Sequence, residues 1–148
     1  HAPERAPGSR SCDLPGAASA ERRAMSNALK AIQEGQQLAA DLRAHLDSAI
    51  EKAGGIVVAR ASPRLPTIAS YHMPGMASSA QLIQFDMAGI AVSAGSACSS
   101  GTLKSSRVLA AMGWGEGDAG EVIRVSFGPE TSRASVYRFL EVWQRIRA

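Results

Sequence analysis

The sequence predicts an α/β fold, a small two-layer α/β sandwich in which helices pack against one sheet. Helical and strand-like patterns alternate along its 148 residues, and the first and last elements are both amphipathic helices. Hydrophobic residues make up 45% and charged residues 20% of the chain, which is typical of a globular domain with one modest core.

The first nineteen residues differ in composition from the remainder. They are rich in Pro, Gly, Ala, Ser and Arg and show no hydrophobic periodicity. We therefore expect residues 1–19 to form a loose or extended arm. The folded domain is then expected over residues 20–148.

A long amphipathic helix is predicted from about residue 20 to residue 53. Its apolar side chains mostly recur every three or four residues, which predicts one buried stripe. The stripe consists of Met25, Leu29, Ile32, Ala39, Leu42, Leu46 and Ile50. Two consecutive glycines, Gly54 and Gly55, predict the C-terminal end of the helix.

Shorter elements follow this helix. Apolar and β-branched residues predict strands at 56–60 and 67–71, and a Ser-capped run predicts a helix at 78–87. A short β-branched run at 90–93 then leads into a Gly/Ser-rich loop at 94–101. Another helix starts near residue 105, with inward side chains expected to be Val108, Leu109 and Met112.

After a stretch at 113–120 that is expected to be flexible, the sequence predicts its clearest strand and a final helix. In the strand at 121–127 the side chains alternate between two faces. One face carries Ile123, Val125 and Phe127, and the other carries Val122, Arg124 and Ser126. Thr131 or Ser132 caps the final helix, whose apolar side is formed by Val136, Phe139, Leu140, Trp143 and Ile146.

A cysteine lies between the strand predicted at 90–93 and the helix that follows. Cys98 is surrounded by small residues, and Gly95 and Gly101 permit backbone conformations that other residues rarely adopt. Lys104 and the amides at the start of the next helix would favour the thiolate, which is the nucleophilic form. Composition alone leaves two interpretations open, a reactive thiol and an inert small residue.

Several segments around this cysteine resemble one enzyme family. Residues 93–100 (SAGSACSS) closely resemble the active-site loop of NifS/IscS-type cysteine desulfurases, which are class-V aminotransferases that use pyridoxal phosphate (PLP). Residues 103–113 (LKSSRVLAAMG), 122–128 (VIRVSFG) and 65–68 (LPTI) are similar to further motifs of that family. The resemblance runs from about residue 20 to the C-terminus, and it implies the C-terminal small domain of a fold-type I PLP enzyme.

The resemblance implies roles for individual residues. Cys98 would be the catalytic thiol, which takes sulfur from a PLP-bound cysteine as a persulfide and releases alanine. Arg124 would bind the substrate carboxylate through two parallel hydrogen bonds. The sulfur would pass to an acceptor or scaffold protein for assembly of iron–sulfur clusters or another thio-cofactor. The active-site loop would contain Ser93, Gly95, Ser96, Ala97 and Ser99.

The lysine motif that holds PLP in the family, Ser-x-His-Lys, is not found in this sequence. Lys30, Lys52 and Lys104 all lie in unrelated contexts. We therefore expect a truncated chain that lacks the large PLP-binding domain, binds no PLP by itself and is inactive alone. Without that domain, apolar surface would be left exposed. We therefore expect a homo-oligomer, or a partner chain that supplies the PLP domain.

Two other interpretations stay open beside the enzymatic one. The chain would be either a non-enzymatic sulfur-relay or protein-interaction module that keeps the loop, or an inactive fragment. Cys12, in the predicted arm, is given no role.

Charge and composition argue against several other functions. The net charge of +3 comes from scattered Arg residues with only 5% aromatics, so nucleic-acid binding is not expected. No apolar run approaches the ~20 residues of a membrane helix, and two separated cysteines fit a reducing cytoplasm. His1, His45 and His72 have no Cys or carboxylate partner at metal-ligand spacing, so no metal site is expected.

Overall fold

The structure is a computed structural model that describes residues 15–97, 103–104 and 106–148. The described residues divide into two compact units, the first ending at residue 34 and the second beginning at residue 35. Cys98, Ser99 and Gly101 of the predicted active-site loop lie outside the described residues, as does Cys12.

The first helix, α1, covers Pro15–Lys52. It starts five residues before the predicted position, so the assignment of residues 15–19 to a loose arm was wrong. Pro15 suits the first position of a helix because its fixed φ matches the helical value. Its lack of an N–H costs nothing there, since an N–H at that position has no acceptor within the helix. The Ala-rich run that follows has high helix propensity.

The predicted buried stripe of α1 is confirmed only in its second half. Ala39, Leu42, Leu46 and Ile50 are buried. By contrast, three residues of the first unit are more than half exposed: Met25 (64%), Leu29 (54%) and Ile32 (57%). Helical spacing places apolar side chains on one face, but burial requires another element to cover that face, and no described residue does so here.

The end of α1 agrees with the sequence prediction. Gly54 has a φ of +77°, the left-handed conformation that glycine adopts without steric cost. The amide of Gly55 donates to the Ile50 carbonyl at 2.9 Å, which satisfies one of the last helical acceptors.

Short strands form the main sheet in the order β1-β2-β6-β3, with every neighbouring pair antiparallel. Their bounds are β1 Ile56–Val57, β2 Ile68–His72, β3 Ser93–Ala94 and β6 Val122–Ser126. The first of these is shorter than predicted because the chain turns at Ala59, whose φ is +54°. Strand β4 (Ser96–Ala97) lies within the predicted loop at 94–101. It pairs with β5 (Leu103–Lys104), which follows that loop.

The helices after the first unit largely follow the predictions. Helix α2 covers Ser78–Met87 as predicted, but the predicted Ser cap was wrong, because the N-cap is Ala77 and no side chain caps the helix. Helix α5 covers Arg133–Arg147 with Ser132 as its cap. Between them lie α3 (Arg107–Ala111) and α4 (Glu116–Ala119), the latter inside the stretch predicted to be flexible. Of the α3 side chains predicted to face inward only Leu109 is buried, whereas Val108 and Met112 are exposed.

The second unit packs the later part of α1, α2 and α5 on one face of the sheet, in agreement with the predicted two-layer α/β architecture. The core on that face combines side chains of α1, α2 and α5 with those of the strands. Phe85 and Phe139 stack at 4.7 Å between ring centroids, and Trp143 meets Tyr71 edge-on at 6.2 Å. A smaller cluster on the other face contains Val58, Leu109, Ala119 and Val122. None of the described helices is long and apolar enough to span a membrane.

The close packing at the end of α1 gives a stability prediction. A Cβ at residue 55 would lie 2.6 Å from Ile50 Cγ2 and 2.7 Å from Trp143 Cζ2, and both side chains are fully buried. We expect Gly55→Ala to lower the free energy of unfolding by about 1–3 kcal/mol in urea denaturation, because the core must be overpacked. As the matched control, a Cβ at Gly35 meets nothing within 4 Å, so Gly35→Ala should stabilise the helix by up to about 1 kcal/mol. Equal stability of the Gly55→Ala variant and the parent would contradict this packing.

Candidate active site on the open sheet face

Arg124 lies in the middle of β6 on the face of the sheet that α1, α2 and α5 leave open. Its neighbour Ile123 is fully buried in the main core, and the side chains of a strand alternate between faces. The alternation predicted for this strand is thus confirmed. Arg124 is directly opposite Ser70 on β2 and Ser93 on β3, and residues opposite each other in antiparallel strands share a face.

A cavity of about 320 Å³ opens on this face beside Arg124. Its floor comes from the central strands and one of its walls comes from α3. This volume lies at the small end of the range for ligand sites and suits a molecule of amino-acid size. The polar residues that line it include Arg64, Ser70, Ser106 and Arg124, and the apolar ones include Val58, Ile68, Val108, Leu109 and Met112.

The second guanidinium at the cavity, that of Arg64, is held by a buried carboxylate. Asp47 on α1 is only 1% exposed and accepts a hydrogen bond from Arg64 Nη2 at 2.5 Å. It also accepts from the Tyr71 hydroxyl at 2.9 Å, and Arg60 Nη1 lies 3.5 Å away. Burial, together with the nearby Asp47 carboxylate, raises the pKa of Tyr71 far above its usual range. The phenol therefore stays protonated and donates a hydrogen bond to Asp47.

The charge of Arg64 is therefore balanced by Asp47, whereas no described carboxylate forms an ion pair with Arg124. Arg43 on α1 donates to the carbonyls of Arg64 and Leu65 and so holds the segment that enters β2. The sequence interpretation missed Asp47, Arg64 and Tyr71 as a group. Asp47 lies 17 residues from one partner and 24 from the other, and no local pattern links positions so far apart.

The structure brings some of the predicted loop residues to Arg124. Ser93 is exposed on the adjacent strand, and Gly95 lines the cavity with a φ of +56°, a conformation that favours glycine. Ser96 and Ala97 form β4. Cys98 and Ser99 are outside the described residues, so their predicted roles stay predictions.

The fold agrees with that of known proteins to which the chain is similar. Residues 20–139 match the model of the family described as aminotransferase class-V. The putative cysteine desulfurase IscS 1 of Bacillus subtilis (strain 168) is 46% identical over 65 residues, which are 43% of this chain and 17% of that protein. The cysteine desulfurase of Gluconacetobacter diazotrophicus is 42% identical over 85 residues, 57% of this chain and 21% of that protein. The chain thus spans about a fifth of the length of these curated relatives.

Two solved structures share the fold. The NifS-like protein from Rickettsia africae superposes with a TM-score of 0.63 at 28% identity, over 73% of this chain and 28% of that one. A second NifS-like protein gives a TM-score of 0.69 at 26% identity, over 84% of this chain and 31% of its own. These likenesses confirm the predicted resemblance to NifS/IscS-type proteins. Since the family model matches well over half of the residues, the chain belongs to the class-V aminotransferase family.

Proposed function

We propose that this chain is the sulfur-accepting part of a cysteine desulfurase-like transferase, in which Cys98 takes sulfur from cysteine and Arg124 binds the carboxylate of that substrate. One observation carries the proposal: Ser93 on β3 lies directly opposite Arg124 on β6. Adjacent strands are about 4.8 Å apart. The segment that leads to Cys98 therefore leaves the sheet beside the backbone of Arg124, and Gly95 in that segment lines the same cavity as Arg124.

Arg124 suits the recognition of a carboxylate. Its planar guanidinium can donate two parallel hydrogen bonds to one carboxylate, which fixes the orientation of the ligand as well as its position. Arg124 is exposed at a cavity of amino-acid size, and no described carboxylate competes for it. Arg64 is less suited to this role because Asp47 already binds it.

The transfer step balances without any external oxidant. The Cys98 thiolate attacks the sulfur of the substrate cysteine, so that a new S–S bond forms as the substrate C–S bond breaks. The electron pair of the broken bond stays on carbon, which takes up a proton to give alanine. The products are a persulfide on Cys98 and free alanine, and an acceptor thiol then removes the outer sulfur.

The described residues do not fit PLP, the cofactor that the resemblance implies. Of the lysines whose side chains the structure describes, Lys30 and Lys52 both lie on α1, and neither lines the cavity at Arg124. The cofactor would have to be supplied by protein outside the described residues. We propose that the open sheet face contacts that protein, because Val108 and Met112 leave exposed apolar surface at the rim of the cavity.

Mass spectrometry of the two cysteines tests the sulfur-accepting role. We expect that incubating the purified chain with cysteine and a complete PLP-dependent cysteine desulfurase adds one sulfur atom to Cys98 and none to Cys12. Cysteine and PLP without the second enzyme should release no alanine. Cys98→Ser should abolish sulfur uptake, and Cys12→Ser should leave it unchanged. Absence of a persulfide on Cys98, or equal labelling of both cysteines, would refute the proposal.

A further inference from the structure

Three metal-ligating side chains meet at the end of β2, apart from the cavity at Arg124. One ligand atom each of His72, Asp118 and Glu121 lies within 4.8 Å of the other two. His72 Nε2 is 2.8 Å from Glu121 Oε2 and 4.0 Å from Asp118 Oδ1. The three residues are too far apart in sequence for a local motif to reveal the cluster. The sheet register pairs His72 with Val122 and therefore brings residue 121 close to His72.

Two of the three side chains are held in place by their surroundings. His72 is only 4% exposed, and its ring packs edge-on against Trp114 at 5.2 Å between centroids. The Glu121 carboxylate accepts from the Gly75 amide at 3.1 Å, while its backbone carbonyl accepts from Gln81 Nε2 at 2.8 Å. The hydrogen bond from Gly75 is the kind of secondary contact that orients the ligands of protein metal sites, whereas, among the described residues outside the cluster, packing alone holds the His72 ring.

The third side chain gives access from solvent. Asp118 lies on α4 with its side chain 68% exposed, so a cation can reach the cluster and a small rotation can bring its carboxylate closer to His72. No described Lys or Arg forms an ion pair with Asp118 or Glu121. Two carboxylates therefore share this small space with one imidazole, an arrangement that a divalent cation would stabilise.

We infer that His72, Asp118 and Glu121 form a binding site for a divalent transition-metal ion of the Zn²⁺ class. One imidazole nitrogen and two carboxylate oxygens are ligands that such ions accept, with water completing the coordination. The ion would tie α4 to the sheet. Because Ala119 of α4 and Leu109 of α3 share one apolar cluster, it would also stabilise the α3 wall of the cavity at Arg124.

Metal titration of the full chain tests this site. Thiolates also bind these ions, so the parent carries Cys12→Ser and Cys98→Ser and is first freed of metal with a chelator. We expect one equivalent of Co²⁺ to bind with visible absorption bands, and one equivalent of Zn²⁺ to bind by calorimetry and raise the melting temperature. Asp118→Asn or Glu121→Gln should each weaken binding by about 10-fold or more.

The control is Glu116→Gln, which removes an exposed carboxylate from the same short helix but outside the cluster. It should bind Co²⁺ and Zn²⁺ like the parent. Because Asp118 is exposed, Asp118→Asn should fold normally even if substitutions of buried His72 do not. The inference is overturned if the parent binds neither ion, or if Glu116→Gln weakens binding as much as Asp118→Asn does.

Discussion

Replacing Arg124 by Gln is expected to weaken the binding of an amino-acid carboxylate by about 10- to 100-fold. A hydrogen bond to a charged group contributes about 1.5–3 kcal/mol, and each 1.4 kcal/mol corresponds to about tenfold in affinity. The measurement is a titration of the isotope-labelled chain with L-alanine, the proposed product, followed by amide chemical shifts in NMR. The shifts should centre on the strands and the α3 segment that line the cavity.

Arg145→Gln provides the matched control for this experiment. Arg145 is an exposed residue of α5 and does not line the cavity at Arg124, so this substitution removes the same charge without touching the site. Arg124→Lys should recover only part of the affinity, since an ammonium group cannot form the planar two-bond contact. If Arg124→Gln binds alanine as tightly as the parent, Arg124 is not the carboxylate-binding residue. That result would favour a sulfur relay without substrate binding.

Removing the buried carboxylate of Asp47 is expected to lower the free energy of unfolding by about 3–5 kcal/mol. In Asp47→Ala the mostly buried guanidinium of Arg64 and the hydroxyl of Tyr71 both lose their acceptor. A buried charge without a partner is costly because the interior cannot replace its hydration. Urea denaturation followed by circular dichroism measures the loss.

Asp41→Ala is the matched control for this prediction. It also removes an acidic residue from α1, but at an exposed position. Asp41 is exposed and accepts a hydrogen bond only from Gln37 among the described residues, so its substitution should change stability by less than about 0.5 kcal/mol. If Asp47→Ala cost no more than this control, the buried network would have no structural role. Arg64 also lines the cavity, so the Asp47→Ala variant should show altered chemical shifts there as well.

Local patterns in the sequence were enough to predict several elements of the fold. Helix α2 lies at the predicted residues 78–87, and Ser132, one of the two residues predicted as the cap, caps the last helix. The alternation of β6, with Ile123 in the core and Arg124 on the other face, also follows from the sequence. In each case the periodicity of one segment decides which side chains share a face, and no distant contact is needed.

Predictions failed where burial depends on a second element. The spacing of Met25, Leu29 and Ile32 is helical, yet no described residue covers them. Val108 on α3 and Met112, directly after it, are likewise exposed. An apolar periodic pattern therefore predicts the side of a helix on which apolar residues lie, but it does not show that anything packs there.

By itself the sequence determined the α/β class, the family of the chain and the position of Arg124 on one face of its strand. Only the tertiary structure decided that Asp47 neutralises Arg64 and that Glu121 lies 2.8 Å from His72, 49 residues away along the chain. The physical reason is that motifs and periodicity are properties of neighbouring residues. Charge pairing and the distances between side chains that are remote in sequence instead depend on strand register and on which helices pack together, and the whole chain sets both of these.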